Sequence, residues 1–118
     1  MEARVAEAMN IDECKLITLD EYCENGVVKK GTTSGRHFQS IVINILPGQE
    51  VPTHSHAGHE VILIPQTGAG ILFDDDSSQI NLVPGSIYTD HNGSIFGLRN
   101  SGDKPFQVLV ILVNSTNN

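Results

Sequence analysis

The sequence predicts an all-β domain, a sandwich or a closed barrel, and three observations carry that expectation. Turn-forming clusters such as "ENG", "TTSG", "LPGQ", "HAGH", "TGAG", "VPGS" and "NSGDKP" recur about every 8–12 residues. The runs between them ("SIVINIL", "VILIP", "FQVLVILV") are short and rich in Val and Ile, which suits half-buried pleated surfaces. Helical spacing of apolar residues occurs only near the start, at Val5, Ala6 and Met9.

In chain order, residues 1–13 are expected to be an N-terminal extension, helical or frayed. Residues 14–118 are expected to form one β-barrel domain, since 118 residues suffice for one core and not two. "CKLITL" and "SIVINIL" are apolar on more than one face, so a second face must be covered, and a homodimer is the expected solution. "DDDSS" is expected to be a solvated hairpin tip, because a calcium loop needs alternating ligands and a later Glu that are absent there.

Composition excludes several classes. The formal charge of −7, with Lys29 and Lys30 the only adjacent cations, leaves nothing basic and clustered to neutralise nucleic-acid phosphates. No run approaches the roughly 18 apolar residues a membrane helix needs, and "MEARVAEAMN" lacks the apolar core of a secretory signal. Without secretory context, Cys14 and Cys23 are expected to be reduced thiols of a soluble, cytoplasmic protein.

The chemistry concentrates in "HSHAGHE", residues 54–60. His54 and His56 are two apart, so on a strand both side chains leave one face. Ala57-Gly58 permits a tight turn, after which Glu60 could return beside the imidazoles. Two imidazoles and a carboxylate form a facial set suited to a divalent transition metal (Fe, Mn, Ni or Zn), with positions open to substrate. The competing reading is a polar loop of exposed histidines. His59 has the wrong alternation and is expected at the surface.

The stretch "PGQEVPTHSHAGHEVILIPQTGAG" resembles the first sequence motif of the cupins. There a Gly, five residues, His-x-His, three or four residues and Glu are followed after six by Gly. Gly48, His54, His56 and Glu60 fall on this pattern, while Gly68 comes one residue late, implying a bulge. "LVPGSIYTDHNGSIFGLRNSGDKPFQVLVILV" is similar to the second motif, with Pro84-Gly85 and Asn100 in place. The resemblance covers about residues 38 to 113 and implies a small double-stranded β-helix, the cupin jelly roll.

One departure bears on function. Four residues before Asn100, where the family carries its last histidine ligand, stands Phe96. A phenyl ring cannot ligate, so the implied set shrinks to His54, His56 and Glu60, with His91 the nearest replacement or pocket-mouth residue. Two pictures follow: a three-ligand metal site, or a metal-free or weak-metal pocket lined by Ile62, Tyr88, Phe96 and Leu98. The resemblance implies a site for a small oxygenated metabolite, either an enzyme with Tyr88, Asp90 or His91 near the mouth, or a binding and sensor barrel. A storage role does not suit one short domain. The fold alone does not choose among these classes.

Overall fold

The computed structural model describes residues 19–115. The chain runs through β1 (Val28–Ser34), β2 (Phe38–Ile45), β3 (Glu50–Ser55), β4 (His59–Thr67), β5 (Gly70–Phe73), β6 (Gln79–Leu82), β7 (Tyr88–Asp90), β8 (Ile95–Arg99) and β9 (Phe106–Asn114). Antiparallel pairing assembles these into a five-stranded sheet, ordered β1-β2-β9-β4-β7, facing a four-stranded sheet, ordered β3-β8-β5-β6. The all-β expectation holds, and no helix among the described residues is long and apolar enough to cross a membrane. The expected N-terminal extension and Cys14 lie outside the described residues. Cys23 is an exposed free thiol.

Alternation decides which residues fill the interior. On β4, Val61, Leu63 and Pro65 are buried while Glu60, Ile62 and Ile64 between them are less so. Val61 pairs with Leu112 and Leu63 with Val110 across the β4–β9 ladder, so these four share the inner face. Val110 also pairs with Ile41, and Val108 with Ile43, which extends the face onto β2. Phe106, Ile45 and Leu82, almost fully buried, close the far end of the barrel. Pro65 has no amide to donate, and it is tolerated because β7 pairs with β4 only at Val61–Leu63. The bulge expected near Gly68 is a register shift between Pro65 and Thr67.

Turns are set by side chains that cap their own loops. Asp74 Oδ1 accepts from the amides of Asp76 and Ser78, each at 2.9 Å, and Ser77 sits at φ 72°. "DDDSS" is therefore the β5–β6 hairpin tip, as expected. Asn100, fully buried, donates to the carbonyls of Ile45 and Lys104, each at 2.8 Å, and accepts from Gly102 N. The backbone carbonyl of Asn100 also accepts from Gly48 N at 2.9 Å. Gly68 lies at φ 73°, and a Cβ there would run into the Pro105 carbonyl, so glycine is required on both counts.

The outer face of the five-stranded sheet is partly covered by the chain itself. Asn44 donates to the carbonyls of Leu19 and Glu21, each at 2.8 Å, and Gln107 to Asp20 at 3.0 Å. This lays the start of the described chain over the β2–β9 seam. Further along, Ile62, Ile64, Leu109, Ile111 and Val113 form a half-buried apolar stripe on the same face.

Candidate functional site

The two sheets enclose an apolar cavity of about 70 Å³ at the end opposite Asn100. Its walls come from Ile41 and Ile43 on β2, Val51 on β3, Val61 and Leu63 on β4, Phe96, Gly97 and Leu98 on β8, and Val110 and Leu112 on β9. His54, His56 and Lys29 supply the polar part. His54 is exposed and His56 half-buried, which places the imidazoles toward solvent.

A kink in β3 aims the histidines inward. Val51 pairs with Leu98 and His54 with Phe96, so three steps on β3 oppose two on β8, with Pro52 inside the bulge. Without this extra residue Val51 and His54 would point to opposite faces. The expectation that His54 and His56 share a face is met, since both line the cavity with ring centroids 4.3 Å apart.

Both rings hold the same nitrogen, Nδ1, against a backbone carbonyl. His56 Nδ1 lies 2.9 Å from the Ser94 carbonyl and His54 Nδ1 lies 3.1 Å from the Pro52 carbonyl. A carbonyl only accepts, so each neutral ring carries its proton on Nδ1 and keeps the Nε2 lone pair free. Burial holds the His56 pKa below the ordinary histidine value, and nearby His54 adds to this. The Ser94 hydrogen bond and the Asp90 charge act the other way without reversing it.

Asp90 supports this arrangement from beneath. It is buried, and its carboxylate accepts from Ser94 N at 2.9 Å and Ser94 Oγ at 2.6 Å. Burial pushes its pKa up, but the bonds from Ser94 and from the Asn92 amide outweigh that, leaving it below the usual carboxylate range. The turn that presents the Ser94 carbonyl to His56 is thereby fixed. In the sequence Asp90 stands out only as a residue near the mouth, and Ser94 does not stand out. The "D-x-x-x-S" spacing of a side-chain-capped turn was the available signal.

The remaining expected site residues divide between the cavity and the outer face. Glu60 does not join the histidines: it sits on the outer face of β4, opposite Val113 on β9, with its side chain 47% exposed. Its partner is His91 Nδ1 at 3.5 Å, on a side chain that is 64% exposed. Ile62 shares that outer face, paired with Ile111 and Thr89, and does not line the cavity that holds the histidines. Leu98 and Phe96 do line the cavity. Tyr88 meets Phe96 edge-on at 6.3 Å and lines a neighbouring cavity instead, and burial, with the charges of Asp90 and Asp74, raises its pKa.

The residue that faces inward beside the histidines is Val61, 1% exposed. Counting four residues after His56, the other spacing of the cupin pattern, lands on Val61, and Gly68 then follows after six. Gly68 is thus in register with Val61 and late only with respect to Glu60. The inward positions nearest the histidines are therefore His54, His56, Val61 and Phe96, with the Phe96 ring stacked on His56 at 3.9 Å and 11°. Two imidazoles, an isopropyl group and a phenyl ring do not fit the three- or four-donor transition-metal centre that the resemblance implied. Among the described residues no group of three His, Cys, Asp or Glu side chains is arranged to hold a metal ion.

No protein-family model and no curated protein matches the sequence. Solved structures do match in shape. An uncharacterised conserved protein with a double-stranded β-helix domain from Klebsiella pneumoniae superposes with TM-score 0.78 at 19% identity, covering 93% of each chain. An RmlC-like cupin protein from Desulfovibrio desulfuricans gives TM-score 0.73 at 22% identity over 86% of this chain and 94% of that one. The cupin_2 domain of an XRE family transcriptional regulator from Enterobacter cloacae gives 0.66 at 19%, covering 77% and 99%. This chain has the fold of the small cupins, a double-stranded β-helix built from two antiparallel sheets.

Proposed function

We propose that the barrel is a binding chamber for a small, largely apolar molecule carrying a hydrogen-bond donor, and that it works without a resident transition metal. The observation that carries this reading is the inward quartet of His54, His56, Val61 and Phe96. Its two Nε2 lone pairs accept hydrogen bonds, and its other two members offer only apolar surface. Asp90 and Ser94 hold the His56 ring in the accepting tautomer. A sensor role is in keeping with one structural neighbour being a domain of a transcriptional regulator. This chain's acidic composition would make such regulation act through another protein rather than on DNA.

The test is a screen of small alcohols and amides, read by the imidazole and Val61 methyl NMR signals of the full chain. Saturable shifts, weakened at least tenfold by His56→Ala, are the expected result. One equivalent of tightly held transition metal in protein purified without added metal, lost in His54→Ala, would overturn the reading in favour of a metalloenzyme.

We propose further that two copies pair through the outer stripe of Ile62, Ile64, Leu109, Ile111 and Val113. Each copy contributes the same apolar strip, so a two-fold axis buries both at roughly 25 cal/mol per Å². Light scattering should report a dimer at micromolar concentration that Ile111→Glu converts to monomer. A wild-type monomer would refute the pairing. A cytoplasmic location suits the exposed free thiol of Cys23.

A further inference from the structure

We propose that Phe96 is the specificity-determining residue of the barrel: its ring divides one chamber into two and sets the size of what reaches the imidazoles. This rests on the binding-chamber reading above. Phe96 is 4% exposed and lines two cavities. On the His54, His56 and Val61 side the space is about 70 Å³. On the Tyr88 and Asp74 side it is about 150 Å³. The Phe96 ring stacks on His56 at 3.9 Å on one side and meets the Tyr88 edge at 6.3 Å on the other.

Size then limits the occupant. A dry cavity of about 150 Å³ accepts one benzene ring, so half that volume takes roughly three heavy atoms. With Phe96 in place, the molecule that meets the Nε2 acceptors is a short alcohol or amide rather than a ring. With the phenyl ring removed the two spaces join. A phenol can then lie flat against His56 where Phe96 stacks, with its hydroxyl donating to an imidazole.

The experiment uses phenol and ethanol as probes of the full chain, read at the His54 and His56 imidazole signals and the Val61 and Leu63 methyls. Phenol should leave these signals unmoved in the wild type and shift them saturably in Phe96→Ala, with Phe96→Leu at least tenfold weaker than the alanine variant. Phenol shifting the wild type as strongly as Phe96→Ala overturns the partition, as does a folded Phe96→Ala that phenol leaves unmoved. If the alanine variant fails to fold, Phe96→Leu decides: phenol at the imidazoles supports the partition and silence refutes it. Ethanol, of about the size the smaller space admits, tests the chamber separately. Shifts in the wild type support it, whereas silence from ethanol in the wild type and from phenol in both variants overturns the chamber reading itself.

Discussion

The two ends of the barrel treat their cupin-pattern residues differently. At the closed end, Gly48, Gly68 and Asn100 each do a backbone job: Asn100 ties Ile45, Lys104, Gly102 and Gly48 together, and Gly68 fits against Pro105. At the open end, His54 and His56 hold their inward places, but Val61 and Phe96 stand where donors would be needed. The first set of residues is needed for the fold whatever the barrel holds. The second set decides the chemistry, and it can change without disturbing the sheets because Val and Phe pack well in an apolar interior.

Truncations at the closed end should therefore cost stability first. Phe106→Ala removes a fully buried ring and should lower unfolding free energy by about 3–5 kcal/mol in urea titrations. Asn100→Ala leaves buried carbonyls without their donor and should cost about 2–3 kcal/mol. If either variant were as stable as the wild type, the closed end would not be the structural anchor described.

Open-end substitutions should act more gently on stability and more sharply on the site. Asp90→Asn weakens the bonds that hold Ser94 and should cost about 1–2 kcal/mol. It should also alter the pH profile. The folded-state pKa of Asp90 is depressed, so its stabilising effect is present above the ordinary carboxylate pKa of about 4 and is lost as pH falls through the folded value. Chemical denaturation at a series of acidic pH values should show that loss in the wild type and a flatter curve in Asp90→Asn. The smallest effect expected is from His56. Its folded pKa is lowered, mainly by burial, so stability is full above about 6.5 and declines as pH falls below it toward the folded value. His56→Gln should remove that part of the decline.

Much of the fold was legible because turn chemistry and strand alternation are local. The "DDDSS" tip and the shared face of His54 and His56 follow from neighbours a few residues apart. The site was legible only in part, because a one-residue difference in counting moves a side chain through the sheet. Glu60 is a carboxylate close in sequence to two histidines, yet the β4 residue that lines the cavity beside them is Val61. The late arrival of Gly68 carries that information, although a bulge alone also explains it. A bulge does follow Pro65, so both explanations of the spacing were physically available. The same one-residue offset separates Ile62 from the cavity. The burial of Asp90 beneath the Ser94 turn depends on β7 meeting β4, a contact no local pattern announces.

The direct test of this account is the affinity of Ni(II) or Zn(II), by calorimetry, for wild type, Glu60→Ala and Val61→Glu. If Val61 is the inward neighbour of the histidines, Glu60→Ala should leave metal affinity unchanged. Val61→Glu should then complete the two-His-one-carboxylate set and tighten binding at least tenfold, about 1.4 kcal/mol. Loss of metal binding in Glu60→Ala, with no gain in Val61→Glu, would contradict the account and return the carboxylate to the barrel interior.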